Sequence, residues 1–202
     1  MEIVLRKLIT TAVAVTAVGT SALLTPAAAT ANTTVQPGGA HQTAPSLDAL
    51  TELVIQRILV GDDVAASKYF SGKPVDDPVR EQQILDSVRA SAVQLGIDPD
   101  STAAFFRAQI EASKVVQRGL LAYWAAHPDK APTSGPDLNV IREKLDALTT
   151  QLLAELVRVD DLRGSGLRCD ISLAIANATG AAHHHLDLLH RRALHTASTA
   201  TC

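Results

Sequence analysis

The sequence has 202 residues, of which 47% are hydrophobic and 3% aromatic, and its formal net charge is −3 at pH 7. A slightly acidic chain without blocks of lysine or arginine is poorly suited to neutralise a phosphate backbone, and so few aromatic side chains give bases little to stack on. These totals exclude nucleic acid as the expected partner and favour one soluble domain with a sizeable core.

The first 31 residues are predicted to be a secretory signal peptide. Arg6 and Lys7 precede the apolar run LITTAVAVTAVGTSALL, and the small residues TPAAATA follow it. The alternative is a membrane anchor, which needs about 20 strongly apolar residues, whereas this run is shorter and is diluted by Thr, Gly and Ser. We therefore expect cleavage near Ala31, a secreted or periplasmic location, and no membrane association of the mature chain.

The mature part divides into a flexible leader, residues 32–45, and a helical domain, residues 46–202. The leader is polar, aperiodic and contains Gly and Pro. In the domain, apolar residues recur at steps of three and four, and capping residues or Pro open several of the segments. The predicted helices, with their opening residues, are 46–70 (Ser46), 77–95 (Asp77-Pro78), 98–127 (Asp98-Pro99), 137–159 (Asp137) and 167–196.

Because no segment alternates polar and apolar residues, the predicted fold class is all-α. We expect a single domain of about five to six helices, two or three of them long. Gly96 is predicted to end the second helix, and Gly164 and Gly166 to interrupt the chain after the fourth.

Both cysteines, Cys169 and Cys202, lie in the predicted exported part. Export favours one disulfide, which would close a loop of about 33 residues and contribute roughly 3–4 kcal/mol in the chain-entropy estimate. The competing interpretation is a lone catalytic cysteine. The even count and the terminal position of Cys202 favour the disulfide.

Basic residues on predicted apolar helix faces are the first candidates for chemistry. Arg57 lies beside the apolar stripe of the first helix, and Lys68 follows eleven residues later, which is about three turns and therefore the same face. Arg80 lies near the positive end of a helix dipole, which suits an anion nearby. The long basic side chains of Arg57 and Lys68, aligned on one helix face, favour an anion between them. The alternative is that each of these side chains extends to solvent.

Small polar residues form a second group of candidates. Ser113 and Gln117 are four residues apart on the mostly apolar third helix, so they share a face. Such residues cost stability unless they are paired, so we expect them to contact a ligand or another helix.

The last helix carries several histidines. His183, Asp187 and His190 recur at steps of three to four, which makes a metal site conceivable. No further ligand is evident, and ordinary surface histidines are the favoured interpretation. The aromatic residues Trp124 and Phe105-Phe106 are predicted to belong to the core.

Taken together, the polar residues resemble a known family. They are Arg57, Lys68, the Pro-Val-x-Asp-x-x-Arg-Glu pattern of residues 74–81, Ile97-Asp98-Pro99, Ser113 and Gln117. In order, spacing and residue type they resemble the all-helical chorismate mutases. The predicted signal peptide, the helical C-terminal extension with one disulfide and Arg142 on the fourth helix resemble the exported subclass of that family.

The resemblance implies an isomerase that converts chorismate to prephenate. In the family, arginines bind the two carboxylates of the substrate, and here these would be Arg57, Arg80 and Arg142, with help from Ser113. In the exported subclass the arginine of the fourth helix replaces one that crosses from a partner chain in shorter relatives. Each chain is therefore expected to own a complete site, and a homodimer is possible.

The remaining implied roles concern the reacting atoms. Lys68 and Gln117 would face the ether oxygen of the breaking bond, while Glu81 and the backbone near Asp77 would take the substrate hydroxyl. Together with Arg80, Lys68, Gln117 and Glu81 form the expected catalytic set. The rearrangement is unimolecular, so no cofactor and no metal is expected.

Two other functions remain open. One is a related helical lyase that removes pyruvate from isochorismate, although Glu81 and the pattern around it favour the mutase. The other is a non-enzymatic exported helical protein that binds a partner. The filled ligand positions argue against this second alternative.

Overall fold

The computed structural model of the chain describes residues 46–202, so the predicted signal peptide and leader lie outside the described residues. Seven α-helices follow one another here, and no strand occurs in this range, which confirms the all-α class. They are α1 (Asp48–Ser71), α2 (Pro78–Leu95), α3 (Pro99–Ala126), α4 (Leu138–Arg158), α5 (Asp160–Arg163), α6 (Leu167–His183) and α7 (Leu188–Ser198). A 3-10 turn, Pro128–Lys130, lies between α3 and α4.

The ends of α2, α3 and α4 agree with the prediction because their caps are local and readable in sequence. Each of these helices begins after an aspartate whose carboxylate accepts from a backbone amide of the first turn: Asp77 from Arg80 at 3.1 Å, Asp98 from Ser101 at 2.6 Å and Asp137 from Asn139 at 2.6 Å. Gly96 ends α2 with φ of 75°, a conformation that glycine adopts without steric cost.

Two boundaries were predicted wrongly. Ser46 is not the N-cap of α1; Leu47 occupies that position, and its amide donates to the hydroxyl of Ser172 on α6 at 3.3 Å. The first turn of α1 has no side-chain cap, and its start is held by a contact between residues 125 apart in sequence. The last segment is also not one helix, because the chain turns after His183 and α7 starts behind Asp187.

The core is centred on α3, which packs against α1, α2 and α7, while α1 also packs against α4 and α6. Phe105 and Phe106 are fully buried in edge-to-face contact, and Trp124 is 9% exposed, so these aromatics belong to the core as predicted. Close helix approach depends on glycine: a Cβ on Gly119 would lie 2.5 Å from Leu189 of α7. Among the described helices, none has the length and hydropathy required to cross a membrane.

Three contacts fasten the C-terminal tail to the helices. The predicted disulfide between Cys169 of α6 and Cys202 is present, with the two Cα atoms 5.8 Å apart. The buried guanidinium of Arg163 donates to the carbonyls of Thr201 at 2.7 Å and Ala200 at 3.3 Å. Gln109 of α3 donates to the carbonyl of Ala197 at 3.0 Å. The first two contacts fix the tail to α6 and α5, and the third joins α7 to α3.

His190 is not the surface histidine that the sequence suggested. It is 8% exposed, and its ring lies between two carboxylates: Nε2 is 2.9 Å from Asp62 of α1 and Nδ1 is 2.7 Å from Asp187. A ring that faces a carboxylate at both nitrogens donates from both only as the imidazolium. The hydrogen bond to Asp62, supported by the one to Asp187 and opposed by burial, raises the pKa of His190 to about 9.

We predict that this ion pair makes stability depend on pH on the alkaline side. The pKa of His190 is higher in the folded state than the ordinary value near 6.5, so its contribution is complete below about pH 6.5 and is lost as the pH rises to about 9. We expect a loss on the order of 2 kcal/mol, or roughly 4–8 °C in Tm, between these pH values. Thermal melts of the wild type and His190→Gln measure it.

The exposed His195 on the same helix provides the control, and His195→Gln should melt like the wild type. A wild-type Tm that does not fall more steeply with pH than the Tm of His190→Gln would contradict the prediction.

Candidate active site

A cavity of about 610 Å³ lies among α1, α2, α3 and α4 of the single chain. Its volume suits a small organic ligand. All eight predicted site residues line this cavity: Arg57, Lys68, Asp77, Arg80, Glu81, Ser113, Gln117 and Arg142. The spacing of three to eleven residues within helices, together with the packing of four helices, brings them to one place.

Arg57 is the most deeply placed of the cavity cations. It is 6% exposed, and its Nη1 donates to the carbonyl of Leu145 and the hydroxyl of Thr149, both at 3.2 Å and both on α4. Within residues 46–202 it has no ion-pair partner. Burial lowers the pKa of Arg57 to about 10, and nearby Asp146 partly opposes that shift. The group stays charged at neutral pH and has unused donors for an anion.

Lys68 lies three turns further along α1 and is half-buried. Its Nζ donates to the carbonyl of Val75 at 2.8 Å, in the segment between α1 and α2. An ammonium group has three N–H donors, so two remain for a ligand. Burial lowers the pKa of Lys68, and the charges of Asp77, Asp76 and Glu81 oppose that shift.

Arg80 and Arg142 also line the cavity but are solvent-exposed. Arg80 is in the first turn of α2, and Arg142 is in the first turns of α4, where its Nη1 donates to the side-chain oxygen of Asn139 at 3.4 Å. Two solvent-exposed guanidinium groups and two hydrogen-bonded cations, Arg57 and Lys68, thus surround one space. Paired carboxylates of one ligand match this arrangement, because each guanidinium can donate two parallel hydrogen bonds.

Gln117 presents an unpartnered polar atom to the cavity. Its Nε2 donates to the Ser113 hydroxyl at 3.0 Å, whereas its buried Oε1 has no hydrogen-bond partner. Turning the amide by 180° lets Ser113 donate to Oε1 and directs Nε2 to the space instead. A buried amide left half-satisfied is costly, so a ligand atom at this point is the natural partner.

Glu81 and the start of α2 form the acidic side of the cavity. The Glu81 carboxylate accepts from the backbone amide of Asp77 at 3.3 Å, and Asp77 in turn accepts from the amide of Arg80. This reciprocal pair is a capping arrangement at the predicted start of α2. It fixes the position of the Glu81 side chain, which lines the cavity together with Lys68 and Arg80.

Several lining residues escaped the sequence analysis. Lys114 is 8% exposed and contacts Glu81, Thr149 binds Arg57, and Lys73 lines the cavity from the segment before α2. Thr149 had a usable signal, a lone hydroxyl on the apolar face of α4. Lys114 had none, since it looks like one more polar residue on a long helix.

The cavity carries more positive than negative side chains. The basic residues are Arg57, Lys68, Lys73, Arg80, Lys114 and Arg142, and the acidic ones are Asp77, Glu81 and Asp146. A small dianion would reduce this excess from three charges to one, and local positive potential suffices to attract it to an acidic protein. The donors available are guanidinium, ammonium, amide and hydroxyl groups, which bind and polarise oxygen atoms without forming covalent bonds.

Comparison with known proteins gives consistent results. A family model described as "Chorismate mutase type II" matches residues 48–118. A secreted chorismate mutase of Mycolicibacterium smegmatis is 37% identical over 172 residues, covering 82% of this chain and 92% of the relative. A secreted chorismate mutase of Mycobacterium tuberculosis is 32% identical over 164 residues, covering 81% of this chain and 80% of the relative.

A crystal structure of chorismate mutase from Burkholderia phymatum is similar to the whole described domain. It superposes with a TM-score of 0.73 at 34% identity, and the alignment covers 77% of this chain and 95% of that one. The similarity therefore extends beyond residue 118 to the helices that follow α3.

The unpaired burial of Arg57 predicts that this residue is retained at a cost in stability. Arg57→Met removes a buried charge but fills similar volume, and the Leu145 carbonyl keeps the Thr149 hydroxyl as a donor at 2.8 Å. We expect a gain in unfolding free energy on the order of 1 kcal/mol, or roughly 2–4 °C in Tm. Thermal and urea unfolding measure it.

Arg158→Met is the matched control on the surface, since Arg158 pairs with Glu155 and is half-exposed. It should change the unfolding free energy by less than about 0.5 kcal/mol. A drop of several degrees in the Tm of Arg57→Met would show that Arg57 supports the fold instead.

Proposed function

This chain belongs to the type II chorismate mutase family, and we propose that it rearranges chorismate to prephenate in the cavity among α1, α2, α3 and α4. The observation that carries the proposal is the excess of cations around a space that holds an unsatisfied amide. The substrate is a dianion whose ether bond breaks, so it needs both features. The activity is that of an isomerase.

The reaction explains why these residue types suffice. One C–O bond breaks and one C–C bond forms within a single molecule, so neither a nucleophile nor a base takes part. The protein has to hold a compact chair-like conformer and stabilise negative charge that grows on the ether oxygen. Even the low end of enzymatic acceleration, about 10⁶-fold or roughly 8 kcal/mol, must come from these two effects.

We assign to the arginines the task of holding chorismate in its compact, chair-like conformer. Arg57, Arg80 and Arg142 bind the two carboxylates, and Ser113 assists with its hydroxyl. Two-point guanidinium contacts fix the orientation of each carboxylate as well as its position. Arg57 is held by α4 before the substrate arrives, so it loses little freedom on binding.

We assign transition-state stabilisation to Lys68 and Gln117. The two free N–H groups of Lys68 and the rotated amide of Gln117 donate to the ether oxygen, where charge develops. The substrate hydroxyl is taken by Glu81 and the backbone near Asp77. Because every one of these groups comes from a single chain, each chain has a complete site even if the protein forms the homodimer that the resemblance suggests.

The protein is exported, in keeping with the relatives named secreted chorismate mutase. We propose that residues 1–31 are removed on export and that residues 32–45 connect the cleavage site to the helical domain of residues 46–202. The disulfide in the domain suits an oxidising compartment.

The decisive experiment is turnover by the purified mature chain. We expect loss of chorismate absorbance with prephenate as the product. Lys68→Met should lower kcat/KM by about 10²–10³-fold, as removal of one transition-state donor does elsewhere. Arg80→Met should lower it by about 10²-fold, because the substrate is then held less well in its reactive conformer. Lys144→Met is the matched control, because Lys144 pairs with Asp63 outside the cavity. Helical circular dichroism checks that each variant is folded.

Wild-type protein that leaves chorismate unchanged would refute the proposed function. Release of pyruvate from isochorismate at a higher kcat/KM would assign the cavity to the lyase reaction instead. Equal activity of Lys68→Met and Lys144→Met would refute the role given to Lys68.

A second prediction concerns pH. Gln117 donates a hydrogen bond at any pH, so the kcat/KM of the wild type should be flat through the neutral range, whereas a glutamate at this position donates only when protonated. Gln117→Glu should therefore move the optimum to acid pH. Gln56→Glu, at an exposed position of α1, controls for added charge, and a Gln117→Glu profile that matches the wild type would remove Gln117 from the mechanism.

A further inference from the structure

Lys114 is a buried cation for which the proposed chemistry has no role. It is 8% exposed, and its Nζ lies among three carboxylates: 2.6 Å from Glu111, 3.2 Å from Glu81 and 3.5 Å from Asp76. The second oxygen of Glu81 is also within reach, at 3.3 Å. Burial opposes the charge of Lys114, but the hydrogen bonds to Glu111 and Glu81 outweigh burial and raise its pKa.

The same ion cluster connects α3 to the segment before α2. Arg118, one turn further along α3, binds both oxygens of Asp76 at 2.7 and 2.8 Å. Asp76 follows Val75, whose carbonyl accepts from Lys68. Ion pairs therefore connect α3 to the acidic side of the cavity. This ion cluster consists of Lys114, Arg118, Asp76, Glu81 and Glu111.

We infer that Lys114 is a positioning residue for the proposed reaction: it holds the Glu81 carboxylate on α3 and so keeps it from pairing with the cations that bind the substrate. The inference rests on the proposed function and concerns one more residue of the same site. It assigns to Lys114 an effect that passes entirely through Glu81.

The competition for Glu81 follows from its neighbours. Arg80 precedes it on the same turn, and the charge of Glu81 already acts on Lys68 across the cavity. Without Lys114, Asp76 would keep Arg118, but Glu81 and Glu111 would lose their ion-pair partner. The repulsion among the three carboxylates would then drive Glu81 toward the cavity cations. A carboxylate there occupies the donors that the carboxylates of chorismate need.

Direct contact of Lys114 with substrate is not the explanation. An ammonium group has three N–H donors, and three carboxylates surround this one. Lys68 differs in this respect, since the carbonyl of Val75 takes only one of its donors. A purely structural role is the remaining alternative, and it predicts a change of stability without a change of kinetics specific to Glu81.

The experiment is a double-mutant cycle on the mature chain, with kcat and KM for chorismate as separate readouts. Lys114→Met should raise KM about 10-fold and lower kcat/KM by about 10²-fold, the size of effect expected when a reacting group is misplaced by about 1 Å. Adding Glu81→Gln to Lys114→Met should return KM to the value of Glu81→Gln alone, because a neutral amide does not mask the cations. The double variant should then have the kcat of Glu81→Gln alone.

Two further variants separate charge from packing. Lys114→Arg keeps the charge and should retain most of the wild-type KM. Arg118→Met breaks the exposed part of the cluster without touching Glu81 and should leave both constants near the wild type. If Lys114→Met does not fold by circular dichroism, Lys114→Gln combined with Glu111→Gln, which removes one excess carboxylate, takes its place in the cycle.

The outcomes distinguish this inference from the proposed function. An inactive wild type would overturn both. An active wild type with a Lys114→Met variant within about twofold of it in both constants overturns the inference alone, since a misplaced group costs more than that. The inference is also overturned if the effects of Lys114→Met and Glu81→Gln multiply, because Lys114 would then act independently of Glu81.

Discussion

The structure depends on keeping several cations close together around a space without a matching set of anions. Arg57 and Lys68 are held on one face of α1, and Arg80 and Arg142 approach from α2 and α4. Their mutual repulsion and the loss of hydration favour separation of these helices. The helices stay together because each is also packed against apolar core on its other side.

This constraint gives a role to features that are far from the cavity. α3 supplies Ser113 and Gln117 to the cavity, and on another face it carries α7. The disulfide joins the tail after α7 to α6, the Arg163 guanidinium joins it to α5, and the His190 ion pair joins α7 to α1. A framework fixed in this way resists the outward displacement of α1 that the buried Arg57 would otherwise favour, since α1 is joined to α7 through Asp62.

How far the sequence predicts the structure depends on the range of each interaction. The starts of α2, α3 and α4 were predictable because an aspartate and the following turn form a local cap. The start of α1 was not predictable, because it lacks a side-chain cap and the amide of Leu47 is bound by Ser172, 125 residues away. The break between α6 and α7 carries neither Gly nor Pro, and His190 looks like a surface residue until Asp62 is brought to it.

The same distinction applies to the site. The predicted site residues of one helix lie at repeating helical spacings, so it was predictable that they share a face of that helix. The resemblance added Arg142 of α4 to the predicted site. Lys114 was missed because two of its three partners come from other segments, Asp76 before α2 and Glu81 within it, and the third, Glu111, is an ordinary helix neighbour. Nothing in the spacing along α3 distinguishes it from Arg118, which is solvent-exposed.

The titration behaviour of the cavity fits the reaction proposed for it. Burial lowers the pKa of both Arg57 and Lys68, and a lysine that loses its proton no longer offers a positive charge to a developing oxyanion. The carboxylates of Asp77, Asp76 and Glu81 counter this effect at Lys68. They therefore do more than cap α2 or bind a hydroxyl, because they keep the ammonium group of Lys68 charged.

A carboxylate that keeps Lys68 charged in this way must still leave the N–H donors of Lys68 free for substrate. Contacts that draw Glu81 and Asp76 toward α3 satisfy both requirements, since a charge several ångströms away still stabilises Lys68 without occupying its donors.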